Sequence, residues 1–234
     1  MISNPVTLLL TVADRRRRVR VSERMRLADL ARVCLDLDQT VVEDAARASR
    51  RNGSPVSCRA GCGACCRHVV PVSPPEAWML ADLVAAMPPR RRAAVQLRFL
   101  DARGALERHF SPRHPLFAIA HEYFALGIAC PFLENESCSI HANRPSVCRE
   151  HLVTTPSSLC ANLHSGAAIL SLPLRISECL AQVAAQVLGT APTSIALTTA
   201  LDWARENRAD GQRTWESRHL LGLAGEAFKR SSAG

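Results

Sequence analysis

The spacing of apolar residues changes several times along the chain, and each change marks an element. Residues 6–12, VTLLLTV, are β-prone, and Val19 to Val21 can pair back across an arginine-rich turn. That pattern predicts a small N-terminal β-hairpin over residues 1–21, with a loose basic arm as the alternative. From Ser22 to about Arg51 the period lengthens: Leu27, Leu30, Cys34, Leu37 and Val41 fall three and four apart, one face of a helix. Asn52-Gly53 stops it, so residues 22–53 read as one helical unit. Further on, Ser73-Pro-Pro-Glu76 has a cap, a proline at the first helical position and a glutamate three after the cap, the capping-box arrangement.

That start predicts a helix to about Met87, where Pro88-Pro89 ends it. An arginine-rich helix follows from about Arg90 to Phe110, broken by Ser111–Pro115, and a short one from Leu116 to Leu126. Residues 127–164 read as irregular. Residues 167–176, AAILSLPLRI, read as extended because Pro173 interrupts a helix. Ser177 is expected to cap a helix from about Glu178 to Leu188, which Gly189 stops; two more are expected over 193–207 and 212–228. The expected fold is mainly α in one domain, with helices packed around a Cys-rich irregular centre (residues 54–160), the hairpin before it and the segment 161–234 after it.

Composition narrows the partners. The 234 residues are 47% apolar and 4% aromatic, a core palette of Leu, Val and Ala that favours helices. The formal charge is +8, and Lys229 is the one lysine among 29 basic residues. An arginine excess can mark a nucleic-acid surface. Here it is read as GC-rich coding bias, and nucleic-acid binding is disfavoured because the chain lacks a basic helix tied to the cysteines and an aromatic set for stacking bases. No run approaches the roughly 18 apolar residues of a membrane span. Arg15 to Arg18 follow the first apolar run, the reverse of an export signal. The expectation is a cytoplasmic protein without a membrane partner, in a reducing compartment where clustered thiols act as ligands or nucleophiles.

Eight of the ten cysteines fall in two loop-like stretches: Cys58, Cys62, Cys65 and Cys66, then Cys130, Cys138, Cys148 and Cys160. Cys34 and Cys179 lie on helical stripes and are expected to be buried, inert thiols. A disulfide scaffold would need export, and adjacent Cys65 and Cys66 make a strained pair. One nucleophile does not account for eight thiols. Metal ligation does: Cys-rich zinc sites use two- to four-residue spacers, and here three residues separate Cys58 from Cys62 and two separate Cys62 from Cys65. Gly61 and Gly63 allow tight turns. Cys58, Cys62 and Cys65 also stand at i, i+4 and i+7, one face of a helix; in either geometry those three converge, and Cys66 diverges toward a second ion or a bridging role. Arg59, Arg67, Arg144 and Arg149 flank the thiols and can offset their charge. His141 is an alternative ligand, His68 and His151 are outer groups, and Glu134, Glu136 and Glu150 are expected to be solvated loop charges.

These residues resemble the YkgJ-like cysteine-cluster family, also called the CxxCxxCC domain. The resemblance runs through SCRAGCGACCRHVVPVSPPE and YFALGIACPFLENESCSIHANRPSVCREHLVTTPSSLC. The family's cysteine knot falls on Cys58, Cys62, Cys65 and Cys66; its Cys-Pro-Phe-Leu on Cys130 to Leu133; its later positions on Cys138, Arg144-Pro145 and Cys148-Arg149, with Cys160 also in the pattern. His141 departs from the tyrosine expected there. The resemblance implies zinc or iron, an iron–sulfur cluster included. Some relatives are described as flagellin lysine N-methylases, yet this chain has no glycine-rich nucleotide loop. The expected function is therefore a structural or metal-handling protein that holds zinc or iron through these eight cysteines and can also meet a protein partner. The alternative is an iron-dependent enzyme of redox or methyl-transfer type, with a histidine or one of the three glutamates completing a mixed site.

Overall fold

A computed structural model describes residues 5–13, 15–111, 114–162 and 166–232. Within them the fold is mainly α, with a small N-terminal antiparallel hairpin. The hairpin pairs β1 (Pro5–Val12) with β2 (Arg15–Ser22), Leu8 against Val19 and Leu10 against Arg17. The arginine run is thus strand rather than turn. Leu10, Val12 and Val19 point inward, while Arg16, Arg18 and Arg20 on the other face are exposed; period-two alternation thus keeps these three in solvent, and Arg17, opposite Leu10 on the inner face, is half-buried.

The first helix begins later than Ser22. β3 (Arg24–Met25) intervenes and pairs with β8 (Trp215–Glu216), leaving α1 to span Leu27–Arg51. Asp29 fixes that start by accepting the Arg26 N–H at 3.0 Å, satisfying a donor that the helix cannot. The predicted stripe is the buried face: Leu27, Leu30, Cys34, Leu37 and Val41 are all 5% exposed or less.

α2 (Pro74–Ala85) starts at the expected capping box. α3 (Pro89–His109) and α4 (Leu116–Ala125) follow. Pro112 and Arg113, in the predicted break between them, lie outside the described residues, as do residues 1–4 of the expected hairpin unit and 163–164 of the irregular stretch. That stretch holds a hairpin of β5 (Leu133–Glu134) and β6 (Ser137–Cys138), then α5 (Ser146–Glu150). Residues after 166 are extended as predicted, with Ile169 bridged to Val153.

α6 (Ile176–Leu188) ends at Gly189, whose φ of 69° suits a residue without Cβ. Its N-cap is Arg175 rather than Ser177, whose hydroxyl is drawn to Glu150 instead. The helix expected over 193–207 shortens to α7 (Ala200–Glu206), because Ile195-Ala196 form β7 against β4 (Pro71–Val72). The helix expected over 212–228 begins later, as α9 (Ser217–Ser232), because β8 takes Trp215–Glu216; the short α8 (Arg208–Gln212) precedes it.

A main apolar core joins most of these parts, and a second, smaller cluster packs Ala102 and Leu106 of α3 with Ile119 and Tyr123 of α4. α1 packs on α2, α5 and α6; α2 also packs on α7; and α9 lies between α6 and β1. Leu30, Leu80, Ile176, Leu180 and Leu220 are buried at its centre, and Phe132 carries it to the cysteine region. Among the described residues no helix is long and apolar enough to cross a membrane.

Candidate metal centre

The two cysteine stretches, remote in sequence, meet in space. The Cys130 N–H donates to the Cys66 carbonyl at 2.7 Å. The Ser57 N–H donates to the Val153 carbonyl at 3.0 Å, and the Val153 N–H reaches Cys58 Sγ at 3.4 Å. His68 Nε2 lies 2.9 Å from the Cys160 carbonyl oxygen. Backbone and side-chain bonds therefore stitch the first stretch to the beginning, middle and end of the second.

Local chemistry shapes each stretch. Residues 58–63 are not helical, so the i, i+4, i+7 geometry is not adopted; a single 3₁₀ turn over Ala64–Arg67 carries Cys65 and Cys66. Gly61 has φ of 82°, as a tight turn demands. Gly63 matters for space instead: a Cβ there would fall 2.7 Å from Leu133 Cδ1 and 2.9 Å from the Glu136 carbonyl oxygen. The β5–β6 hairpin lies directly on that turn. Arg67 holds it by donating to both Glu136 carboxylate oxygens, at 2.9 and 2.6 Å. From α3, Arg98 grips the other side, donating to the Pro131 carbonyl at 2.7 Å and to Glu134 at 2.5 Å.

We expect Gly63→Ala to cost about 1–3 kcal/mol of stability through overpacking and to weaken metal retention by moving Cys138. Gly61→Ala meets nothing within 4 Å and should cost only the backbone strain. Metal analysis and thermal melts of both variants check this contrast.

Six of the eight candidate thiols, Cys62, Cys65, Cys66, Cys130, Cys138 and Cys148, line one small cavity of about 50 Å³. Its floor includes Phe132 and Ile140, and Arg59, Arg144 and His141 also border it. That volume suits ions or a compact cluster and is far below the roughly 300–1,000 Å³ of organic-ligand pockets. Cys58 and Cys160 stand just outside the lining, near each other and near Cys62 and Cys65. Two overlapping groups result. Cys58 and Cys160 feel the charges of Cys62 and Cys65, while Cys66 feels Cys130 and Cys138, and Cys148 feels Cys65, Cys66 and Cys138; Cys62 shares the cavity with this second set. Cys65 lies within electrostatic range of members of both.

All ten cysteines carry free thiols. The hydrogen bond with Cys66, then burial, pushes the Cys65 thiol upward. Cys66 is pushed up to about 12, first by its hydrogen bond to Cys130. Burial raises Cys148 well above the ordinary thiol range. Arg144 opposes these shifts at Cys58, Cys65 and Cys138, so its charge acts on thiols of both stretches. Arg149 turns away, donating to the Ala142 and Arg144 carbonyls and to Gln39.

Among the described residues no three His, Cys, Asp or Glu side chains already form a finished ligand array. The thiols point partly at one another. The donor set nonetheless fits a soft or borderline cation: crowded sulfurs that hydrogen-bond mutually lose protons to a metal, and turning χ1 redirects each Sγ without moving backbone.

Outside this group, Cys34 and Cys179 are fully buried on α1 and α6, and burial pushes both thiols up, Cys179 to about 11. We expect Cys34→Ala and Cys179→Ala each to cost about 1 kcal/mol and to leave metal per chain unchanged, as elemental analysis would report. Glu134 and Glu136 sit at the surface in ion pairs. Glu150 departs from the expected solvated charge: it is 0% exposed, because Ser177 supplies the hydrogen bonds that water would. His68 and His151 are half-buried with rings 6.2 Å apart, and the His68 ring also meets Phe124 at 4.9 Å.

Residues 57–165 match a family model, CxxCxxCC, described as "Putative zinc- or iron-chelating domain". No curated protein and no solved structure matches the chain.

Proposed function

We propose, for a chain whose residues 57–165 belong to the CxxCxxCC zinc- or iron-chelating family, that the protein holds zinc or iron through thiolates of Cys58, Cys62, Cys65, Cys66, Cys130, Cys138, Cys148 and Cys160, in a structural or metal-handling role. The observation that carries this reading is the convergence of six thiols from two distant segments on one cavity of about 50 Å³. A pocket that small has no room for a nucleotide or peptide, so the thiols themselves bind the ligand.

The two overlapping groups support two ions, with Cys65 between them. Four thiolates on a divalent cation leave a net charge of −2, and the Arg144 guanidinium offsets part of it where it faces both groups. Closed four-sulfur coordination leaves no position for substrate, which favours structure or cargo over catalysis. Free thiols in this number suit the reducing cytoplasm. In the handling role a partner protein would receive or deliver the ion.

A second reading, an iron centre that performs redox or methyl-transfer chemistry, draws on His141, which borders the cavity and is exposed. Catalytic sites keep three protein ligands and one open position, and a histidine among thiols, as in a Cys₂His set, is one such arrangement. Arg144 holds the His141 pKa below the ordinary imidazole range, which favours the neutral, ligating form. The iron or cluster would supply the electron or methyl chemistry; the thiols, His141 and Arg144 would hold it and balance its charge.

Purification without oxygen, a visible spectrum and metal per chain separate these readings. A colourless protein with about two zinc ions supports the structural or handling role, and a brown iron protein supports the second reading. A protein free of both metals defeats the pair.

A further inference from the structure

Two fully buried carboxyl groups, Glu76 and Glu150, lie behind the cavity and hold α5 from its two ends. Glu76 sits in the first turn of α2. Its Oε2 accepts the Ser73 N–H at 3.0 Å and the Ser73 hydroxyl at 2.7 Å, the local capping box. Its Oε1 does something a cap does not require: it accepts the Ser146 N–H at 2.8 Å, from 70 residues further along the chain. Ser146 is the first residue of α5 and Cys148 is two residues beyond it.

At the other end, Glu150 is the last residue of α5. Its Oε1 accepts the Ser177 N–H at 2.9 Å and its Oε2 the Ser177 hydroxyl at 2.5 Å, tying α5 to α6. Both glutamates are 0% exposed. Arg149 completes the hold, its Nη1 donating to Gln39 on α1 at 2.7 Å and its Nε to the Arg144 carbonyl at 3.1 Å. Taking carboxylates out of water is costly, and well-packed apolar side chains in their place would stabilise the fold at least as well. What apolar residues cannot do is fix the height and rotation of a five-residue helix that is too short to be stable alone.

We propose that Glu76 and Glu150 are positioning residues for the thiol centre: they clamp α5 so that Cys148 Sγ and the Arg144 guanidinium meet the sulfurs of the 58–66 stretch. This rests on the metal-binding reading above. Replacing either carboxylate by an amide puts an NH₂ group against N–H donors, which frees one end of α5 and lets Cys148 swing away.

The test uses Glu76→Gln and Glu150→Gln in the full chain, titrated with cobalt(II) without oxygen, following the thiolate-to-cobalt charge-transfer band. Leu220→Ala, a core change on α9 where it packs on α6 and β1, reports what lost stability alone does. Ser177→Ala removes only the hydroxyl from Glu150 and carries the test should a glutamine variant fail to fold. Both glutamine variants should bind cobalt about 10- to 100-fold more weakly, with the band reduced as in Cys148→Ser; Ser177→Ala should shift the same way by less, and Leu220→Ala should keep the wild-type affinity and band. Glutamine variants with wild-type affinity and band overturn the clamp while leaving the metal reading intact. A comparable loss in Leu220→Ala also overturns it, since the effect would then be stability. A wild-type protein that binds no cobalt sinks both.

Discussion

Cys65→Ser should strip most of the bound metal from the protein, more than Cys58→Ser or Cys148→Ser does. Cys65 is the thiol that acts electrostatically on Cys58 and Cys160 and also on Cys138 and Cys148, and it hydrogen-bonds with Cys66. A hydroxyl is a poor substitute for a thiolate on zinc or iron. Removing the sulfur between the groups therefore disables both, whereas Cys58 and Cys148 each serve one. Elemental analysis of the three variants, purified side by side, gives the ranking. Equal losses in all three would mean that the thiols form one undivided cluster. An unchanged load in Cys65→Ser would remove it from the ligand set.

Withdrawing the metal should lower thermal stability markedly. Metal held at about a thousandfold above its dissociation constant adds about 4 kcal/mol to the folded state. In a chain of this size that corresponds to a fall in Tm of roughly 8–16 °C when a chelator removes it under reducing conditions. The loss should be local before it is global. The apolar core of α1, α2, α6 and α9 contains none of the eight candidate ligands among its fully buried side chains; only Cys130 and Cys138 touch its margin. Far-UV circular dichroism should therefore change little at low temperature while the cavity thiols become open to alkylation. A melt indifferent to chelator would show that bound metal contributes nothing to the fold.

The parts legible in the sequence were those whose signal is local. The α1 stripe from Leu27 to Val41 faces one core along its length, so its period survives as burial. The α2 cap and the Gly189 stop are decided within four residues of themselves. The two-residue pairs were not legible: Arg24-Met25 with Trp215-Glu216, and Pro71-Val72 with Ile195-Ala196, are made by chain segments that fold past each other, and two residues carry no period. Each displaced a predicted helix boundary.

The candidate site divides the same way. Cysteine spacing marked the two stretches and set Cys34 and Cys179 apart, because helical stripes and loop clusters differ in pattern. Spacing did not reveal that Arg144 rather than Arg149 faces the thiols, nor that Glu150 is buried. Glu76 was visible only as a cap. Its second bond, to Ser146, joins elements that no local signal connects.

The most direct test of the central claim is X-ray absorption at the edge of whichever metal the protein carries when purified without oxygen. The predicted result is a first shell dominated by sulfur, at about 2.3 Å for zinc. A shell of nitrogen and oxygen alone would contradict it.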